Sequence, residues 1–260
     1  MDITLIVTNR EIGQEQLKGN AAVVFDVLRA TSTIVTALAN GCREIIPVVT
    51  VEDALRFLFK ESIILGGERN SLIIPGFHHG NSPLEYTPEK VREKTLVLTT
   101  TNGTRAIRGA AEGACQVLIG SLLNARAVAR EILRLGENTV LVCAGTRGAF
   151  SLEDTVAAGM VILELMILCE NERSPGKYPP GKVPTACPNE SLTLESDLAV
   201  AAYHLAIHYR EEPLKILYHS LHGQKLAGMG LTDDLAWCAR LNHLDIVPVY
   251  REGKITLEKP

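Results

Sequence analysis

Asp26-Val-Leu-Arg-Ala-Thr-Ser-Thr33 decides the architecture, because Thr99-Thr-Thr-Asn-Gly-Thr-Arg-Ala106 repeats its setting farther along the chain. Val23-Val24-Phe25 reads as a buried strand feeding the first loop, and Leu96-Val97-Leu98 feeds the second. A helix-like apolar run, Ile34–Ala39, follows the first loop. With Ile34 laid on Ile107, Asp26 meets Thr99, Cys42 meets Cys115 and Ala54 meets Ala127. Val140-Leu-Val-Cys-Ala-Gly-Thr-Arg-Gly148 is a weaker third echo leading to Phe150-Ser-Leu-Glu-Asp154. Apolar strands that each run into a polar loop and then a helix predict an α/β fold. We expect three α/β/α layers on a mainly parallel sheet, with internal duplication near 22–58 and 95–131. Polar loops at strand carboxyl ends are where open α/β sheets bind ligands.

Outward from these loops, helices are expected at Thr31–Asn40, Val51–Leu58, Thr104–Glu112, Asn124–Leu135 and Leu152–Cys169. Strands are expected at Ile3–Thr8, Ala22–Phe25, Glu44–Val49, Ser62–Gly66, Thr95–Thr99, Gln116–Ile119 and Thr139–Cys143. Residues 170–188 are too rich in proline and glycine for regular structure and read as a surface excursion. Beyond them, Glu195–Tyr209, Pro213–His219 and Asp233–Leu241 read as helices, Ser220–Gly230 as a glycine-rich connection, and Ile246–Tyr250 with Lys254–Leu257 as a strand pair. No linker frees the last third, so residues 1–260 read as one domain.

The chain has 260 residues, 46% of them hydrophobic and 22% charged, with a net charge of −4. That balance supplies no basic field for nucleic acid, while a local arginine cluster can still hold a small anion. No apolar run reaches membrane-spanning length, and the N-terminus lacks the pattern of a signal peptide. The six cysteines form no CxxC pair and are expected as reduced core thiols in a cytoplasmic protein.

Thr99–Arg105 is the clearest anion-binding candidate. Gly103 lets backbone approach a ligand, while hydroxyls and N–H groups at a helix start cradle phosphate oxygens. Arg105 in a first helical turn opposes the helix dipole, which a bound anion would reconcile. No P-loop motif is present. Asp26 is placed to ligate Mg²⁺ or act as a base, but Leu28 stands where haloacid-dehalogenase phosphatases need a second aspartate. Cys143 and Arg147 are too closely spaced for a cysteine-phosphatase loop, so Cys143 reads foremost as a buried thiol. Glu68, Glu153 and Asp154 are further loop acids, the last two reading equally as helix-start residues; Asp233 and Asp234 read as N-cap residues. Ile74–Pro83 reads as a binding lid presenting Asn81, Ser82, His78 and His79, whereas His204 and His208 read as surface residues.

Together these segments resemble the 2-phosphosulfolactate phosphatase family. The residues that carry the resemblance are Asp26–Thr33, Gly66-Gly-Glu-Arg69, Pro75-Gly-Phe77 with Gly80-Asn-Ser-Pro83, Thr99–Arg105, Cys143-Ala-Gly145 with Phe150–Asp154, and Asp234-Leu-Ala-Trp-Cys238 with Val247-Pro248. The resemblance implies a Mg²⁺-dependent phosphatase that converts (2R)-2-phospho-3-sulfolactate to 3-sulfolactate and phosphate, a step towards coenzyme M or sulfolactate. It also implies a homodimer.

On that basis Mg²⁺ is assigned to Asp26 and Glu68, with Asp154 next in line. Arg29, Arg105 and Arg147 are assigned to the substrate's anions. Thr31, Ser32, Thr101, Asn102, Gly103 and Thr104 are assigned to substrate oxygens, and Asn81 and Ser82 to closure over the ligand. Metal-activated water and a covalent intermediate on Asp26 or Cys143 both stay open. A phosphatase for another small phospho-hydroxy acid and a non-catalytic anion-binding protein are the alternatives. His78-His79 and Asn242-His243 depart from the family pattern, and a histidine replacing a ligand acid would weaken preference for Mg²⁺.

Overall fold

The computed structural model describes residues 1–173 and 192–257. Most of the expected 170–188 excursion, including Cys187, lies outside the described residues, and 170–173 are the end of a helix. Among the described residues the strands are β1 (Asp2–Ile6), β2 (Ala21–Phe25), β3 (Glu44–Pro47), β4 (Ile63–Arg69), β5 (Leu72–Ile73), β6 (Thr95–Thr99), β7 (Gln116–Gly120), β8 (Thr139–Cys143), β9 (Thr193–Leu194), β10 (Pro248–Arg251) and β11 (Lys254–Leu257). They form one mixed, mostly parallel sheet in the order β5-β4-β6-β3-β11-β10-β7-β2-β8-β1-β9.

Strand periodicity explains the layers, since successive side chains point to opposite faces. In β2, Val23 and Phe25 join a core with Leu118, Leu141 and Cys143. Ala22 and Val24 join a second core with Val117, Ile119, Val140 and Val142. Helices Ala125–Leu135, Leu152–Arg173 and Asp197–Tyr209 cover the first face. Helices Ala30–Ala39 and Gly103–Ala110 cover the other. The result is the expected α/β/α arrangement. Helix Leu152–Arg173 is apolar nearly all round because it lies between the sheet and helix Asp197–Tyr209. Gly159 allows that approach: a Cβ there would stand 2.0 Å from the Ala202 carbonyl oxygen.

Two parallel blocks, β4-β6-β3 and β7-β2-β8-β1-β9, are joined through the antiparallel β10–β11 hairpin. Three successive antiparallel junctions make the blocks run in opposite directions. The units β2–helix–β3 and β6–helix–β7 therefore straddle the hairpin, each first strand pairing with the other's second. Internal duplication remains a reading of the sequence.

One expectation fails. Ser220–Gly230 is not a connection: Leu221–Gly228 is a helix. Ser220 caps it, its hydroxyl accepting from Gly223 N at 3.0 Å. Gly223 is there for close packing, since a Cβ would lie 1.7 Å from the Leu217 carbonyl oxygen. Glycine content alone therefore misled the sequence reading.

Candidate active site

Loops at the carboxyl ends of β2, β4, β6 and β8, drawn from both blocks, open into a cavity of about 630 Å³. Asp26 enters from β2, Glu68 from β4, Thr101 and Asn102 after β6, and Gly145–Asp154 after β8. Arg29, Asn70, Ser71, Asn81, residues 219–222 and Lys225 also line the cavity.

The acids gather on one side. Asp26 is buried, and its Oδ1 accepts from Ala30 N at 3.4 Å. Burial, then the Glu68 and Glu153 carboxylates, push its pKa up to about 7. Glu68 Oε1 accepts from the backbone N and the hydroxyl of Thr101, both at 2.8 Å, and its Oε2 accepts from Ser71 N at 2.8 Å. Asp154 uses its two oxygens on Val27 N, at 2.8 Å, and Gly145 N, at 3.2 Å, tying two strand-end loops together. Burial, followed by Glu153 and Asp26, raises the Asp154 pKa well above the carboxylate range, and burial raises that of Glu153. Gly103 is needed beside this cluster: a Cβ would lie 2.7 Å from Asp26 Oδ2 and 2.6 Å from Ala30 Cβ.

The cations that line the cavity are differently held. Buried Arg29 donates to Asp234 Oδ2 at 2.6 Å and to Ser71 O at 3.2 Å. Asp234 also accepts from Ser82 Oγ at 2.5 Å. It thus anchors an arginine, whereas N-capping was expected of it; the residue before its helix is Leu231. Arg147 is exposed, in a tight turn at φ 57°. Lys225 and His222 reach the wall from helix Leu221–Gly228.

Several expected site residues lie off the cavity. Arg105 is exposed and does not line it. Thr31, Ser32 and Thr104 are fully buried and serve the loops themselves: Thr31 Oγ1 accepts from Asp26 N, Ser32 Oγ donates to Val27 O, and Thr104 Oγ1 accepts from Thr100 N. Cys143 is buried among core residues, and burial raises its thiol well above the ordinary range. The lid reading of Ile74–Pro83 reduces to Asn81 at the cavity. His78 Nδ1 accepts from Leu65 N, and His79 sits against Tyr86, so neither histidine lines the cavity. Asn242 is likewise engaged elsewhere, donating to Glu164.

Reasoning from sequence missed Asn70, Ser71, Ser220, His222 and Lys225. Asn70-Ser71 lies in a six-residue polar and glycine stretch between the apolar runs ending at Leu65 and starting at Leu72, which signals a turn without fixing its place; nothing local marks Lys225.

The donor set suits a hard cation. Among the described residues no three His, Cys, Asp or Glu side chains form a group able to hold a metal by themselves. Mg²⁺ takes one or two carboxylates with substrate oxygens and water, which Asp26 and Glu68 match. The buried Asn81 Oδ1 on the same wall has no hydrogen-bond donor, and a cation's water or a substrate hydroxyl would satisfy it.

Fold and cavity together define an α/β protein that gathers buried carboxylates and cations around one cavity at its strand ends. Residues 6–253 match the family model described as 2-phosphosulpholactate phosphatase. The chain is 45% identical over 246 residues to a probable 2-phosphosulfolactate phosphatase of Symbiobacterium thermophilum, covering 94% of this chain and 96% of that protein. It is 41% identical over 258 residues to one of Clostridium novyi, covering 98% and 100%. The chain belongs to the 2-phosphosulfolactate phosphatase family, a family of phosphoric monoester hydrolases. No helix among the described residues is long and apolar enough to cross a membrane.

Proposed function

We propose that this chain hydrolyses (2R)-2-phospho-3-sulfolactate to 3-sulfolactate and phosphate with Mg²⁺ bound. The observation that carries the reading is the buried Asp26–Glu68–Glu153 cluster lining one cavity together with Arg29, Arg147 and Lys225. Like charges buried together are costly without a cation, and a substrate bearing phosphate, sulfonate and carboxylate needs cations to receive it.

Asp26 and Glu68 hold the Mg²⁺, which when bound supplies charge to the phosphoryl oxygens. Asp154 stays with the loop backbones. The start of helix Gly103–Ala110, with Thr101 and Asn102, receives phosphoryl oxygens, and Arg147 supplies a guanidinium. Water adds to phosphorus, the P–O bond to C2 breaks with its electron pair on that oxygen, and the oxygen takes up a proton. Glu153, whose carboxyl burial shifts towards the protonated form, is placed to give it and to recover the proton that the attacking water releases. A thiol intermediate finds no support, because Cys143 lies off the cavity. The assembly proposed is a cytoplasmic homodimer, on the family resemblance; sedimentation of the purified chain measures its oligomeric state.

The test is phosphate release from 2-phosphosulfolactate, 2-phospholactate and 2- and 3-phosphoglycerate, with Mg²⁺ and with chelator. Release greatest from the sulfonated ester and abolished by chelator is expected. Chelator-resistant turnover overturns the metal assignment; preference for a phosphoglycerate overturns the substrate.

A further inference from the structure

Strands β4 and β5 are joined by Asn70-Ser71, with Arg69 opposite Leu72. Both turn residues have left-handed backbone, φ 57° and 73°. Two-residue hairpins of this kind strongly prefer glycine at the second position, so a serine there is conformationally unfavourable. Its contacts supply the reason. Ser71 N donates to Glu68 Oε2 at 2.8 Å, Ser71 O accepts from Arg29 Nη2 at 3.2 Å, and Ser71 Oγ accepts from Lys225 Nζ at 2.9 Å. One buried residue thus touches three charged groups of the cavity wall.

Lys225 differs from the buried arginine there. Arg29 is neutralised by Asp234. Lys225 Nζ is held by neutral oxygens alone, Ser71 Oγ and Asn70 O at 3.2 Å. Among the described residues no carboxylate lies within ion-pair distance of it. Two of its three N–H donors are used, and its charge remains for a ligand. A compact ammonium suits a monoanionic group better than a bidentate clamp does. The neighbouring His222 is neutral: burial, then Lys225, Arg29 and Arg147, push its pKa down to about 4.

We propose that Lys225 is a specificity-determining residue whose ammonium takes the substrate anion that is not transferred, the sulfonate, and that Ser71 is its positioning residue. The inference rests on the phosphosulfolactate reading above and adds to it the residue that separates this substrate from an unsulfonated phosphoester.

The experiment compares wild type, Lys225→Met, Ser71→Gly and the double variant, each with Mg²⁺. It measures kcat and KM on 2-phosphosulfolactate and on 2-phospholactate, inhibition by 3-sulfolactate, and Tm. Lys225→Met is expected to lose about tenfold or more in kcat/KM on the sulfonated ester, mainly through KM, in keeping with loss of a charged hydrogen bond. It should weaken 3-sulfolactate inhibition to the same degree and leave phospholactate turnover within about twofold. Ser71→Gly should raise KM for the sulfonated ester while keeping or raising Tm, which a purely structural role would not do. The double variant should be no worse than Lys225→Met. Equal losses on both esters, or unchanged 3-sulfolactate inhibition, overturn the role of Lys225 alone. If wild-type enzyme releases phosphate from neither ester, the parent reading fails and this inference falls with it.

Discussion

Asp26 is a side chain whose burial works against stability. Its carboxyl is buried beside two others and its pKa is raised to about 7. In the metal-free protein at pH 8 it is ionised and destabilising. As pH falls through about 7 towards the ordinary carboxylate value, the folded state binds the proton first and that cost disappears. Asp26→Asn is therefore expected to raise the Tm of chelator-treated protein at pH 8 by a few degrees, with the gap closing as pH falls towards 4. Turnover should fall by about a thousandfold, a loss in the range seen for a lost electrostatic stabiliser. Calorimetry across pH and phosphate release check the two halves, and normal turnover would remove the central carboxylate of the site. Cys143→Ser is expected to keep kcat within about threefold and lower Tm, as a hydroxyl placed in an apolar core should; loss of turnover in folded protein would reinstate the thiol.

At the scale of elements, the site is set by how closely helices approach strand ends. Helix Gly103–Ala110 starts against Asp26 because residue 103 has no Cβ. Gly103→Ala should push the helix start away from the carboxylate and cost about 1–3 kcal/mol by overpacking. The same change should reduce kcat/KM about a hundredfold, since catalytic geometry tolerates little displacement. Denaturant melts and kinetics measure both; unchanged activity would show that the helix start does not hold the phosphoryl group. Much of the element plan was legible in the chain. Strands such as Thr95–Thr99 and Thr139–Cys143 are uniform apolar runs because both faces are covered, and buried runs read clearly. Leu221–Gly228 was not legible, because its glycines serve tight packing and a reader of composition sees glycine as a breaker.

For the whole molecule, the β10–β11 hairpin is the join between blocks of opposite direction. Ile255, fully buried, pairs with Ile45 of β3, while Val249 pairs with Leu118 of β7. Ile255→Ala should cost about 2–5 kcal/mol, and a chain ending before Pro248 should lose cooperative unfolding. Urea melts followed by two probes test this; a cooperative transition in the truncated chain would show that the blocks do not need the hairpin. Because the cavity draws on both blocks, the truncated chain should also lose all turnover.

Local order was determined by the chain alone. Buried apolar runs mark the strands, the polar runs after Phe25, Leu98 and Cys143 mark loops that reach the cavity, Asp26 and Arg147 stand in those runs, and Glu68 follows the apolar run that ends at Leu65. Tertiary structure decided which charges meet. Asp234 pairs with Arg29 and Lys225 with Ser71 across more than a hundred residues, while Arg105 turns to solvent although its loop reaches the cavity. Strand and loop signals arise from neighbours in sequence, whereas the partner of a charge is set by packing between distant segments, which no local pattern encodes.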